Sequence, residues 1–227
     1  MSIRQVEFAL ARTARYAVSG APPAEVREAW MVCHGYGQLA AQFLEDFEGL
    51  DDGRRLFVAP EGLSRFYLDA FGSGGRSAKV GASWMTREGR ESEIDDYVRL
   101  LEAVRGQVLA PLGRAVPLGA LGFSQGGATV ARWVARTASR PRMLILWGAA
   151  LPPELAEDAA GASAFAGVRV LLVAGEEDSY VDRGALDTQA AALQAQGVSC
   201  RRVAYPGGHR LESGTLRQLL GELAGAA

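Results

Sequence analysis

A serine stands between glycines at a spacing that is typical of a reactive nucleophile. The stretch VPLGALGFSQGGATVA, residues 116–131, predicts a strand, a tight turn and a helix. A nucleophile on such a strained turn leaves no room for side chains two residues before and after it, which explains Gly122 and Gly126 around Ser124. The turn would place the hydroxyl near the free N–H of Gln125 at a helix N-terminus, where negative charge is favoured. The alternative is an ordinary turn with an incidental serine, because the chain has 28 glycines.

Two further residues have the types and the chain order needed to activate that serine. Asp178 follows one apolar run, and His209 follows the last one. In a triad of this order, His209 takes the proton from Ser124, and Asp178 holds the imidazole in the right tautomer. Each residue has a non-catalytic alternative when it is considered alone. His209 would then be an ordinary histidine after a glycine-rich turn, and Asp178 would be a surface acid in an acidic run that includes Asp182. Their joint position at strand ends favours catalysis.

The run His34-Gly35-Tyr36-Gly37 supplies the electrophilic part of the expected site. A glycine-containing turn after a strand can point a backbone N–H, here that of Tyr36, at the spot that the N–H of Gln125 also faces. Two such donors form an oxyanion hole. His34 is an alternative base, but it precedes the nucleophile in the chain and belongs to the oxyanion turn, which favours His209.

The elements that must position these groups alternate between strands and helices. Short apolar runs indicate buried strands, and amphipathic segments indicate helices between them. The predicted strands are Ala29 to Cys33, Leu56 to Ala59, Val116 to Leu121, Met143 to Trp147, Val168 to Ala174 and Ser199 to Tyr205. This pattern predicts an α/β fold with a mostly parallel sheet and helices on both faces, whose strand ends share one edge. Alternation in Gln5 to Ala9 and Ala14 to Val18 predicts an antiparallel hairpin at the N-terminus.

Two connecting segments bear on access to the site. Residues 61–90 read as a loop of about thirty residues, and loops of this length are usually functional or disordered. Its aromatic residues, among them Phe66, Tyr67 and Trp84, favour a pocket wall that binds substrate; the alternative is that they anchor a surface loop. Residues 148–167 are too few for a large lid domain.

Composition limits the classes of protein to consider. The 227 residues suit a single domain, 1–227, and 24 basic against 26 acidic residues leave no basic face for nucleic acid. No apolar run is long enough to span a membrane, and the charged N-terminus is unlike a signal peptide, so we expect a cytoplasmic protein. Two cysteines and two histidines argue against a disulfide scaffold and against a metal site.

Several motifs together resemble the phospholipase/carboxylesterase and acyl-protein thioesterase branch of the α/β-hydrolase fold, and within it a bacterial serine-hydrolase group. They are HGYGQ (34–38), PEGLSRFY (60–67), GASWM (81–85), GFSQGG (122–127), GEED (175–178) and Gly208-His209. The resemblance covers nearly the whole chain from Ala29. It implies an esterase without metal or cofactor. It also implies Asp178 as the acid, at the family's spacing from a strand-ending glycine; Asp182 stands where proline is usual and remains an alternative.

These observations predict a serine hydrolase that cleaves carboxylic esters through an acyl-enzyme intermediate. One alternative is a thioesterase that acts on acylated proteins or acyl-coenzyme A. Another, from a different class, is a binding protein that kept the fold without its catalysis. The expected partner is a small ester or thioester substrate. The oligomeric state is open, and a homodimer is one of the states considered.

Overall fold

A computed structural model of the chain describes residues 2–69, 78–156 and 159–224. The strands are β1 (Tyr16–Gly20), β2 (Glu28–Cys33), β3 (Arg55–Pro60), β4 (Ser64–Tyr67), β5 (Val80–Ser83), β6 (Leu118–Phe123), β7 (Met143–Trp147), β8 (Arg169–Gly175) and β9 (Cys200–Tyr205). The helices are α1 (Ala40–Glu45), α2 (Arg90–Leu109), α3 (Gln125–Arg136), α4 (Pro153–Ala156), α5 (Ala159–Ser163), α6 (Arg183–Ala195) and α7 (Ser213–Ala224), with a short 3-10 helix (Ala110–Leu112) after α2.

Seven strands form a sheet in the order β1-β3-β2-β6-β7-β8-β9. All neighbouring pairs are parallel except β1 and β3. The inner strands β2 and β7 are buried along their whole length, as expected for strands covered on both faces. The predicted α/β fold with a mostly parallel sheet is therefore confirmed.

Helices cover both faces of this sheet and give it two apolar layers. Successive residues of β2 point to opposite sides: Trp30 packs in the layer under α1 and α7, and Met31 in the layer under α2, α3 and α6. The two layers hold nearly all of the large buried side chains, so the sheet is fixed from both sides. A fixed sheet gives the loops at its edge a stable base.

The predicted N-terminal hairpin is wrong in its first strand. Residues 2–15 form no strand, and β1 pairs instead with β3, in antiparallel register from Tyr16 opposite Pro60 to Gly20 opposite Leu56. Val6 and Phe8 remain exposed. Alternation alone did not produce a strand at residues 5–9, because a strand also needs a paired neighbour and an apolar face to cover.

The segment 61–90 is not a simple loop. It contains β4 and β5, which form a separate two-stranded antiparallel sheet with Ser64 opposite Ser83. Residues 70–77 between them, including Phe71, lie outside the described residues. Residues 148–167 carry only α4 and α5, with 157–158 outside the described part. In the described ranges, no helix is both long and apolar enough to cross a bilayer.

The register of the sheet aligns the strand ends that matter for the site. Gly122 lies opposite Cys33, Phe123 lies opposite Trp147, and Gly175 lies opposite Tyr205. The loops that follow β2, β6, β7, β8 and β9 therefore leave the sheet along one edge. Tyr36, Ser124, Asp178 and His209 lie in these loops, and Gln125 is the first residue of α3.

Candidate active site

Ser124 occupies a strained turn between β6 and α3. Its backbone angles are φ 53° and ψ −119°, and only one other non-glycine residue of the described ranges has a positive φ. Such a conformation costs of order 1–3 kcal/mol in a residue with a side chain and persists only when the surroundings impose it. Here the Ser124 N–H donates to the carbonyl of Trp147 at 2.8 Å, and the Ser124 carbonyl accepts from the Gly127 N–H at 2.9 Å. Ser124 as a residue is half-buried.

The glycines around the serine have a steric cause. A Cβ on Gly122 would lie 2.2 Å from the carbonyl oxygen of Gly126, and a Cβ on Gly126 would lie 2.2 Å from the carbonyl oxygen of Cys33. A Cβ on Gly127 would lie 2.4 Å from the Cβ of Ala149. In the first two cases the obstacle is backbone, which cannot move aside. Close contact between the turn, the helix and the end of β2 is thus possible only with glycine.

Asp178 and His209 meet at the same edge. Asp178 Oδ2 lies 2.8 Å from His209 Nδ1, and Asp178 Oδ1 accepts from the Tyr180 N–H at 2.9 Å. The carboxylate is completely buried, whereas the His209 side chain keeps 17 % of its surface exposed. A carboxylate at Nδ1 fixes the neutral imidazole as the Nδ1–H tautomer and leaves Nε2 as the acceptor. The pair therefore has the arrangement of a base with its orienting acid.

The alternative acid, Asp182, is used elsewhere. It stands at the N-terminus of α6, where Oδ1 accepts from the N–H groups of Gly184 and Ala185 at 2.9 and 3.3 Å. A side chain that caps a helix in this way satisfies N–H groups that have no partner within the helix. Of these two aspartates, Asp178 is the one that contacts His209.

The imidazole of His209 packs on both chain segments that hold the serine. Its ring centroid lies 4.8 Å from that of Phe123, the residue before Ser124. It also lies over Gly148, where a Cβ would come within 2.7 Å of His209 Cε1. Gly148 follows Trp147, whose carbonyl binds the Ser124 N–H. The structure thus brings the histidine, the aspartate and the serine turn together.

Two backbone N–H groups near the serine are free to receive negative charge. Among the described residues, neither the N–H of Tyr36 nor that of Gln125 has a hydrogen-bond acceptor. The turn that carries Tyr36 is nevertheless well held: the Gly35 N–H donates to Gln38 Oε1 at 2.8 Å, and the Gly37 N–H donates to the Ala82 carbonyl at 2.9 Å. Both donors lie in rigid surroundings, as an oxyanion hole requires.

His34 supports the oxyanion turn and cannot act as the base in this arrangement. The ring is buried, its Nδ1 contacts the carbonyl of Gly35 at 2.8 Å, and its Nε2 accepts from the Gly62 N–H at 3.0 Å. Burial lowers the pKa of His34 and outweighs the opposing effects of the Gly35 hydrogen bond and the Glu61 charge. A neutral imidazole with both nitrogens engaged is a structural element, which leaves His209 as the candidate base.

The lowered pKa of His34 predicts a loss of stability on acidification. The unfolded imidazole binds a proton near pH 6.5, but the folded one binds it only at lower pH. The contribution of His34 to the free energy of unfolding is therefore fully present above this pH. It decreases as the pH drops below this value, by up to about 1.4 kcal/mol per pH unit. Urea unfolding of the wild type between pH 7 and 5 should show this slope. His34→Gln, which cannot titrate, should show a smaller one; equal slopes would contradict the prediction.

The side chain of Gln125 is a functional contact that the sequence did not reveal. Its Oε1 accepts from the Trp84 N–H at 3.1 Å, and its Nε2 donates to the Met85 carbonyl at 2.8 Å. The residue after the nucleophile thus ties the serine turn to the end of β5. No local sequence signal marks this role, since the two partners are about forty residues away in the chain.

Trp84 is not part of an open substrate wall, which corrects the prediction made from the sequence. It is 2 % exposed, its ring stacks on His34 with centroids 4.7 Å apart, and its Nε1 donates to the His34 carbonyl at 2.8 Å. The small exposed part faces a cavity beside Phe8 and Leu10. The buried indole therefore supports the oxyanion turn by packing on His34 and does not form a surface contact.

The two other predicted substrate-binding residues are more exposed than Trp84. Phe66 is half-buried with its ring 5.1 Å from that of Tyr36, and Tyr67 is 64 % exposed. Tyr180, which the sequence analysis did not single out, lies with its ring 4.7 Å from that of His209. Its only sequence signal is its place two residues after Asp178. Among the described residues, no group of three or more His, Cys, Asp or Glu side chains could hold a metal ion.

Comparison with known proteins adds a family and a fold. The family model described as serine hydrolase (FSH1) matches residues 30–213. No curated protein matches the chain. Among solved structures, esterase PE8 is 19 % identical, with 93 % of this chain and 100 % of that chain covered and a TM-score of 0.68. Acyl-protein thioesterase 2 of Zea mays is 18 % identical, with 93 % of this chain and 99 % of that chain covered and a TM-score of 0.64. The Bacillus cereus carboxylesterase is 14 % identical, with 94 % of this chain and 95 % of that chain covered and a TM-score of 0.67. These likenesses confirm the predicted α/β-hydrolase fold.

Proposed function

The chain belongs to the FSH1 serine hydrolase family, and we propose that it cleaves carboxylic esters with Ser124, His209 and Asp178 as its catalytic triad. The observation that carries the proposal is the contact between buried Asp178 and half-buried His209, 2.8 Å apart, beside the turn that holds a positive-φ serine. A strained nucleophile turn beside an oriented base has no purpose in a protein that only binds.

The first half of the reaction forms the acyl-enzyme. His209 Nε2 takes the proton of the Ser124 hydroxyl while Oγ attacks the ester carbonyl carbon. The resulting oxyanion accepts hydrogen bonds from the N–H groups of Gln125 and Tyr36, which have no other acceptor in the described structure. When the intermediate collapses, the imidazolium gives its proton to the alcohol oxygen, the C–O bond breaks and the alcohol leaves.

The second half releases the acid. His209 takes a proton from water, the hydroxide oxygen attacks the acyl carbon, and the same two N–H groups hold the second oxyanion. The proton then returns to Ser124 Oγ as the acyl bond breaks. Asp178 holds the imidazole at Nδ1 and stabilises the imidazolium that forms twice per cycle, an effect that the burial of its carboxylate strengthens.

The surroundings favour a small substrate with apolar parts. Phe66 and Tyr67 remain the proposed substrate-binding residues on the side of the oxyanion turn: the Phe66 ring lies beside that of Tyr36, and Tyr67, the next residue of β4, is largely exposed. Thioesters would pass through the same steps, so matched ester and thioester substrates must decide the preference. Catalysis by these residues needs no metal or cofactor. The single domain of 1–227 and the cytoplasmic location stay predictions.

A fluorophosphonate probe tests the proposed nucleophile directly. We expect the folded protein to form one covalent adduct, located on Ser124 by peptide mass spectrometry, because only a deprotonated serine beside an oxyanion hole attacks phosphorus rapidly. His209→Ala should abolish labelling while Ser124 is still present. A folded wild-type protein that takes up no label would instead favour the binding-protein alternative.

A further inference from the structure

Tyr180 presents an unusual surface next to the candidate base. Its side chain is 81 % exposed, yet its ring centroid lies 4.7 Å from that of His209 at an interplanar angle of 40°. Its own N–H donates to Asp178 at 2.9 Å, which fixes the backbone at this point. In the described part of the chain, the phenol oxygen has no hydrogen-bond partner. The backbone of Tyr180 is thus anchored to Asp178, while most of the ring remains free for contact.

The sheet order places this ring on a defined side of the reactive serine. Ser124 follows β6; β2, with the oxyanion turn, is the neighbour on one side, and β7, β8 and β9 follow on the other. Tyr180 and His209 belong to the loops after β8 and β9, whereas Tyr36 and Phe66 belong to the opposite side. Aromatic rings therefore flank the serine turn from two directions.

The chemistry of the reaction assigns one part of the substrate to the Tyr180 side. His209 must give its proton to the oxygen of the departing alcohol, so that oxygen lies within hydrogen-bond reach of Nε2 when the bond breaks. The group attached to this oxygen then lies beside the imidazole. Of the two aromatic rings that pack on His209, those of Phe123 and Tyr180, the Tyr180 ring is the more exposed and offers the larger apolar surface. The acyl chain is a separate substituent of the tetrahedral carbon. With the oxyanion at the two N–H groups and the leaving oxygen at Nε2, the chain leaves the carbon in another direction from the alcohol.

We infer that Tyr180 forms a leaving-group subsite that selects esters of aromatic or other flat apolar alcohols. The inference rests on the proposed function and deepens it. An offset or tilted ring contact of this kind is worth about 3- to 10-fold in kcat/KM, the usual size of an aromatic pair. A phenol ring with a free hydroxyl at its rim also tolerates a polar substituent on the bound ring.

The test compares two activated acetates that differ in the shape of the alcohol. With 1-naphthyl acetate, Tyr180→Ala should lower kcat/KM about 3- to 10-fold more than with 2,2,2-trifluoroethyl acetate, whose alcohol is small and not aromatic. Tyr180→Phe keeps the ring and should restore the wild-type ratio. Across 4-nitrophenyl acetate, butyrate and hexanoate, the loss in Tyr180→Ala should be constant, because the acyl group lies elsewhere.

Tyr16→Ala is the matched control, since it removes an exposed tyrosine from the edge strand β1 and should change neither rate. An equal loss on both acetates would mean that Tyr180 only positions His209, and it would overturn the subsite. No loss on either acetate would overturn it too. In both cases, continued labelling of Ser124 by fluorophosphonate would leave the proposed function intact. A wild type that neither hydrolyses these esters nor takes up label would refute the proposed function itself.

Discussion

Ser124→Ala and His209→Ala should each lower kcat/KM for 4-nitrophenyl acetate by about 10⁴- to 10⁶-fold. The first change removes the atom that attacks, and the second removes the group that accepts its proton. The double variant should be hardly worse than either single variant, because the two groups act as one unit. The residual rate would come from binding and from the N–H groups of Gln125 and Tyr36. Stopped-flow or spectrophotometric release of 4-nitrophenol measures all of these rates.

Ser124→Gly separates loss of chemistry from loss of structure. It also lacks the hydroxyl, but glycine adopts the φ of 53° without strain. Relief of about 1–3 kcal/mol of strain offsets the roughly 0.5–1 kcal/mol cost of the more flexible unfolded chain. We expect an inactive protein at least as stable to urea as the wild type. Substantial hydrolysis by either Ser124 variant would show that Ser124 is not the nucleophile.

Asp178→Asn should lower kcat/KM by about 10⁴-fold, whereas Asp182→Asn should leave it within about twofold of the wild type. An amide at position 178 can donate to Nδ1 and so favours the tautomer whose Nε2 carries the proton and cannot serve as base. It also removes the buried charge that stabilises the imidazolium. At position 182, asparagine caps α6 as well as aspartate does, so neither stability nor rate should change.

The two aspartate variants form a matched pair, because both replace one oxygen by nitrogen within the same loop region. Measurement of kcat/KM across pH 6 to 9 distinguishes loss of the base, which lowers the rate at every pH, from a change in the pH range over which the base is active. A severe defect in Asp182→Asn together with a mild one in Asp178→Asn would show that Asp182 is the acid and that the assignment to Asp178 is wrong. Equal and severe defects, accompanied by lower urea midpoints, would point to a structural role for both.

The oxyanion side of the site depends on contacts between distant segments. His34 joins the turn after β2 to Gly62, Trp84 covers His34, and the Gln125 side chain binds the backbone that carries Trp84. The nucleophile turn and the oxyanion turn are therefore linked twice, directly through Gly126 and indirectly through β5. The linkage explains how two backbone N–H groups from separate loops can keep one fixed geometry.

The sequence by itself determined the parts of this protein that depend on local sterics and on strand order. Gly122 and Gly126 around Ser124 follow from crowding within a few residues, and buried apolar runs such as Met143 to Trp147 could be recognised at their full length. Because parallel strands share one edge, the positions of Asp178 and His209 after their strands were enough to predict that they would lie near the serine turn.

Only the tertiary structure decided which of several similar side chains face each other. Asp178 and Asp182 differ by four positions, yet the first reaches His209 and the second caps a helix. Trp84 and Tyr180 are both aromatic residues of loop segments, but the first is buried under the oxyanion turn and the second lies exposed on the base. Residues 5–9 alternate between apolar and polar types as a strand does, but they pair with no neighbouring strand. Orientation and burial arise from contacts between segments far apart in the chain, and residue type and spacing do not encode them.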